Sequence, residues 1–119
     1  MREISDHRTN PSNEGIVIKA IDEPGAGGAN HRYLVSKSNG TTLIQFNFQN
    51  GPIGESGVNG VTQEVLLAIV IDRLRSFQSG PYNCRDNALA LEKLEDAMNF
   101  LHKRTKDRQR RGVEGTNTI

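Results

Sequence analysis

The residues of this chain best suited to chemistry are arginines. Arg104, Arg108 and Arg111 recur at spacings of four and three and so fall on one face of a helix. Residues 103–111 hold six Lys/Arg against the single Asp107. A guanidinium stays charged and donates paired hydrogen bonds through a planar fork, which matches phosphate oxygens. The stripe continues the line of Ala97 and Leu101. A helix face that turns from apolar to cationic suits an anionic ligand or a second subunit. The same residues fit a solvated helix end equally well, because Lys103–Asp107 and Asp107–Arg111 have the spacing of surface i,i+4 pairs. At this point both readings stand.

A second group, Phe77, Gln78, Tyr82, Asn83 and Asn87, combines rings with amides. Rings stack on purines, and amides read base edges or ribose hydroxyls. The plainer alternative is aromatic packing beneath a turn, with ordinary helix caps. From Asn87 to Arg104 along a helix is about 25 Å. One small ligand cannot span that distance in one protomer. If both groups hold it, one of them comes from another chain.

Other chemistry finds less support. GAGGAN lacks the Gly-Lys-Ser/Thr ending of a phosphate loop and joins strand to strand, so it reads as a turn. His7, His31 and His102 stand apart from one another and from Cys84, leaving no zinc spacing, and neither metal nor cofactor is expected. Glu92, Glu95 and Asp96 form a charged helix face. With no nucleophile–base pattern, the expectation is a protein that is not an enzyme. A lone cysteine excludes an internal disulfide framework, fits a reducing cytoplasm and reads as a structural thiol.

These residues must be positioned by a chain of 119 residues with net charge +1. That balance argues against a general nucleic-acid coat, and a chain this short has a thin core as a monomer. The polar N-terminus has no signal-peptide pattern, and the longest apolar run, Val65 to Ile71, is too short for a bilayer. Residues 1–14 read as a mobile or loosely docked segment. Residues 15–60 read as a β-sheet region, with a strand from Gly15 to Ile21 and a hairpin around Asn39-Gly40. A two-residue loop there sets Ser38 opposite Thr41, Val35 opposite Ile44 and Tyr33 opposite Phe46, all large side chains on one face. Residues 61–119 read as a helical hairpin with a basic C-terminal end. Thr62 caps its first helix, Ser79-Gly80-Pro81-Tyr82 breaks it, and Asn83 caps the second. Leu91, Leu94, Met98 and Leu101 form the seam. The first helix is apolar all round over two turns, and Leu89 and Phe100 lie off the seam, so both need cover from another copy. The fold class is α+β: a small N-terminal antiparallel β-sheet followed by a C-terminal antiparallel two-helix hairpin, one compact domain overall.

Three stretches, NGPIGESGVNGVTQE, DRLRSFQSGPYNCRDNALALEKLEDAMNFL and KRTKDRQRRGVEGT, resemble the helical hairpin domain of small bacteriophage proteins. That domain is shared by anti-defence sponges directed at Thoeris immunity and at cyclic-oligonucleotide (CBASS) immunity. The preceding half, with GAGGANHRY, resembles the sheet region of the Thoeris group, so the likeness covers roughly residues 15–116. The resemblance implies a binder that captures glycocyclic ADP-ribose without cleaving it, in the cytoplasm of the infected bacterial host. It implies a homo-oligomer built from dimers, often a hexamer, and for some members a separate site for cyclic di- or trinucleotides. By position in the motif, Phe77 would stack on adenine, Asn87 would bond the base or ribose, and Arg104 and Arg108 would meet the pyrophosphate. Tyr82 and Arg32 are further ligand-binding candidates. Arg110, Arg111, Gly112 and Thr116 are candidates for the second site. Two other classes remain open: a phage accessory protein that binds phosphate backbones through residues 103–111, and a nucleotide hydrolase.

Overall fold

The computed structural model describes residues 1–10 and 15–119. The chain forms two compact units, residues 1–61 and 62–119.

The first unit is a four-stranded antiparallel sheet in the order β1-β2-β3-β4, with β1 Arg2–Ile4, β2 Ile16–Ala20, β3 Arg32–Lys37 and β4 Thr42–Asn47. The aliphatic row Ile4, Ile18, Val35 and Ile44 crosses the sheet on one face, because each is the register partner of the next. Tyr33 pairs with Phe46, as the alternation predicts, and their rings stack at 5.7 Å. Phe48 meets both edge-on, which closes an aromatic cluster.

Two features differ from expectation. The sequence reads residues 1–14 as a loose segment, yet Arg2–Ile4 pairs with β2 and Arg2 Nη2 donates to Asn30 Oδ1 at 2.7 Å. The rest of that expectation falls partly on residues 11–14, outside the described residues. The β3–β4 hairpin keeps Val35 opposite Ile44 but does not turn in two residues. Lys37 N donates to Thr41 O and Gly40 N to Lys37 O, so the loop is Ser38-Asn39-Gly40 and only Gly40 takes a positive φ. A type I turn followed by a left-handed glycine meets strand twist as well as a two-residue turn does. A register shift between Val35 and Ser36 absorbs the extra residue.

After β4 the chain folds into a loop locked by amides. Gln49 Nε2 donates to the carbonyls of Gly51 and Gly57, and Asn59 exchanges hydrogen bonds with the backbone of Asn50. The one-turn helix α1, Ile53–Ser56, sits inside that loop. Gly60 passes so close to Phe48 that a Cβ would lie 2.5 Å from its backbone, so no larger residue fits.

The second unit is a helical hairpin of α2, Gln63–Gln78, and α3, Arg85–Arg110. Thr62 stands at the predicted N-cap but makes no side-chain cap bond. The second helix begins one residue later than the sequence suggests: Cys84 is the cap and its Sγ accepts from Asn87 N. Asn83 instead donates to Gly80 O and tightens the break. Leu91, Leu94, Met98 and Leu101 are part-buried, Ile71 is buried, and Arg75 bridges to Glu95 at 3.0 Å across the pair. The described residues of the chain leave the rest of α2 uncovered, the surface for which the sequence calls for another copy. Val65, Ile69 and Val70 are exposed, as are Leu89 and Phe100. No helix among the described residues is long and apolar enough to cross a membrane.

Candidate functional site: two ends of one helical hairpin

At the turn of the hairpin, Phe77 ends α2 while Tyr82 and Asn87 flank the start of α3. The rings of Phe77 and Tyr82 meet edge-on at 6.2 Å, and the Arg73 guanidinium lies over Phe77 at 5.0 Å. The turn is clamped by Gln78, which donates to Cys84 O and accepts from Cys84 N. Asn87 Nδ2 reaches Tyr82 O only at 3.5 Å, a weak bond that leaves its amide available. Tyr82 is 73% exposed. The structure therefore gathers Phe77, Tyr82 and Asn87 into one small patch with rings and an amide presented together.

The other end is built by the length of α3. With 26 residues against 16 in α2, it runs about ten residues beyond the start of its partner helix. Here the chain must stop the helix. Gly112, at φ +70, receives the turn: its N–H reaches Gln109 O and the Val113 N–H reaches Arg108 O. That pair of bonds satisfies the Arg108 and Gln109 carbonyls in the last helical turn, and glycine adopts the left-handed conformation without a Cβ penalty. Residues 113–119 then fold back beside α3. Between them and the helix lies an open cavity of about 580 Å³, lined by Phe100, Lys103, Arg104, Asp107, Arg108, Arg111 and Thr116 to Ile119.

The three arginines of the predicted stripe line this one cavity but have different tasks. Arg108 serves the tail: Nε donates to Glu114 Oε2 at 3.1 Å, Nη1 to Thr118 O, and Nη2 to Val113 O and Thr116 O. Four of its five N–H donors are thus spent internally, and its side chain is only 12% exposed. Arg111 Nη1 donates to Ile119 O. Arg104 is exposed and makes no hydrogen bond or ion pair among the described residues, and the same holds for Lys103. Asp107, which the sequence pairs with Lys103 or Arg111, pairs instead with Arg110.

The second-site candidates are thereby divided. Arg111 and Thr116 line the cavity that holds Arg104, whereas Arg110 is engaged with Asp107 and Gly112 terminates the helix. Phe100 belongs to the lining but was not among the sequence candidates, and Lys103 entered only as part of the basic run 103–111. Their signal is the spacing: Phe100, Arg104 and Arg108 follow at four and four, and Lys103, Asp107 and Arg111 repeat it beside them.

Arg32 lies in the other unit, exposed at the head of β3. Its backbone N–H and that of His31 donate to Asp22, whose carboxylate also accepts from Asn30 Nδ2. Desolvation raises the pKa of Asp22, but these donors outweigh it and hold the carboxyl below its ordinary value. His31 is buried, with Nε2 2.9 Å from Ala26 O. GAGGAN is thus the expected turn between β2 and β3, closed by Asp22, Asn30 and His31.

Residues 41–106 match the model of the "Acb2/Tad1, hairpin domain" family. The chain is also 49% identical over 89 residues to "Thoeris anti-defense 1" of Bacillus phage SBSphiJ7. That alignment covers 75% of this chain and 63% of the relative's length.

Proposed function

The chain belongs to the Acb2/Tad1 hairpin-domain family, and from that premise we propose that it is a phage anti-defence sponge that binds the cyclic ADP-ribose-derived messenger of Thoeris immunity and withholds it without cleavage. The observation that carries this reading is the polarity of the hairpin. One end presents Phe77, Tyr82 and Asn87, suited to a base and ribose, and the other presents Arg104 in a cationic cavity, suited to a pyrophosphate. The ligand class needs both chemistries. About 25 Å of helix separates Asn87 from Arg104, so one ligand molecule meets both only where two chains join.

Assembly into a homo-oligomer, a dimer at least and a hexamer in the fullest form, is part of the same proposal. Its support is the apolar surface left bare: Ile69 is 61% exposed, with Val65, Val70 and Leu89 also uncovered. Water contact over such a surface is unfavourable, and a second copy removes it. A closed pocket formed in advance by two chains also lowers the ordering cost of capture. A separate site for cyclic di- or trinucleotides draws on Arg111 and Thr116, while Arg110 and Gly112 have structural partners.

The test is depletion. The product of an activated TIR enzyme is mixed with the protein in molar excess, and the filtrate is assayed for effector activation. Loss of activity from the filtrate, with recovery on heating, supports the sponge. Undiminished activity in the filtrate refutes it. A steep fall in duplex DNA affinity with salt, without messenger depletion, would instead mark a phosphate-backbone binder.

A further inference from the structure

Asparagine precedes glycine three times in this chain, at Asn39-Gly40, Asn50-Gly51 and Asn59-Gly60. Glycine, having no Cβ, lets its backbone nitrogen approach the side-chain amide of the asparagine before it. The structure treats the three pairs unequally. In the β3–β4 loop the attacking atom is occupied: Gly40 N donates to Lys37 O at 2.9 Å, and Asn39 Oδ1 accepts from Thr41 N at 3.0 Å. At Asn59 the target is held: Oδ1 accepts from Asn50 N at 2.8 Å, and Nδ2 donates to Asn50 O at 2.7 Å. Asn50 has neither lock. It is exposed, and its one side-chain bond among the described residues comes from Ala26 N at 3.4 Å, a weak contact. Gly51 N makes no hydrogen bond among the described residues.

A further contact favours reaction there. The Asn50 carbonyl that accepts from Asn59 Nδ2 belongs to the same peptide group as Gly51 N. When that nitrogen gives up its proton, negative charge spreads onto the carbonyl oxygen, where a donor at 2.7 Å stabilises it. We infer that Asn50 is a self-modification site, at which the backbone of Gly51 attacks the side-chain amide and the loop after β4 acquires an acid. Gly51 N loses its proton to hydroxide and bonds to Asn50 Cγ. The Cγ–Nδ2 bond breaks, its electron pair leaves with the nitrogen, and that nitrogen takes a proton from water to depart as ammonia. Water then opens the resulting succinimide at either carbonyl, giving aspartate or isoaspartate. Water enters, ammonia leaves and nothing is oxidised. Isoaspartate lengthens the backbone by a methylene between the N–H and the carbonyl that Asn59 clamps, and so separates them.

The test is to age the full chain at mildly alkaline pH, digest it and read the peptides by mass spectrometry. The Asn50 peptide should gain the mass of an amide-to-acid change and split into two isomers, one of them labelled by isoaspartyl methyltransferase. A hydrogen bond that must break first slows attack by up to about tenfold, so the Asn39 and Asn59 peptides should lag by about that factor. In denaturant the three should convert at similar rates, because folding alone sets their order. Faster conversion at Asn39 or Asn59 than at Asn50 in the folded chain overturns the inference. So does an Asn50 that survives in the folded chain while converting in denaturant. Aspartate without isoaspartate would mean direct hydrolysis by water, and would overturn the attack by Gly51.

Discussion

The two ends of the helical hairpin solve a similar task by opposite means. At the turn, structure comes from backbone and amides: Gln78 clamps Cys84, Asn83 closes on Gly80, and Cys84 caps α3. The Tyr82 ring is left exposed, and the Phe77 ring is part-buried beside it beneath the Arg73 guanidinium. At the basic end, structure comes from a side chain that looks like a ligand. Arg108 gathers Glu114 and three tail carbonyls, and so makes the wall beside which Arg104 and Lys103 stand without a partner among the described residues. Two arginines four residues apart on one stripe are therefore engaged differently: Arg108 clasps the tail, and Arg104 makes no hydrogen bond or ion pair among the described residues. What distinguishes them is a tail whose acceptors are backbone carbonyls.

Arg108→Ala should have the largest effect and sharpens that distinction. Loss of four internal hydrogen bonds from a mostly buried guanidinium should lower stability by about 2 kcal/mol. Hydrogen exchange over residues 113–118 should rise sharply. Messenger capture should fall as a consequence. Unchanged stability and tail protection alongside lost capture would make Arg108 a plain ligand contact.

Arg104→Ala is the converse. Exposed, and without a partner among the described residues, it should leave urea unfolding within about 0.5 kcal/mol of the parent chain. Capture should weaken by one charged hydrogen bond per site, about 1.5–3 kcal/mol. If both variants lose capture and stability together, the basic end is one cooperative structure and the contrast between clasp and contact fails.

At the turn end, Phe77→Leu should weaken capture by about 1–3 kcal/mol through loss of ring stacking, with α3 intact by circular dichroism. An unchanged affinity would reduce the Phe77–Tyr82 pair to packing. The smallest effect lies far from both ends. Asp22 has a folded pKa below 3.8, so its contribution is complete above that value and disappears as pH falls through the folded pKa. The stability gap between the parent chain and Asp22→Asn should therefore narrow below pH 3.8 in acid titrations followed by fluorescence or circular dichroism. A gap independent of pH would mean that the amide–carboxylate contacts around His31 do not depend on charge.

Much of the fold was legible because its signals are local. The spacing of Leu91, Leu94, Met98 and Leu101 revealed the helix seam, and the alternation around Tyr33 and Phe46 revealed their pairing. Strand β1 was not legible: three residues with one apolar side chain carry no periodicity, and only pairing with β2 makes them a strand. Cys84 outcompeted Asn83 as a cap because Asn83 is drawn to Gly80 O. At the basic end, the stripe of arginines was legible but their division of labour was not. Carbonyls of Val113, Thr116 and Thr118 have the same chemistry whatever the residue, so sequence could not announce that they would claim Arg108.

The proposed capture without chemistry is read most directly by loading the protein with the TIR-enzyme product, washing the complex, denaturing it, and determining the mass and effector-activating potency of the released molecule. A sponge returns the same cyclic nucleotide stoichiometrically, unchanged in mass and fully active. Release of a linearised or cleaved nucleotide would contradict it and show a hydrolase.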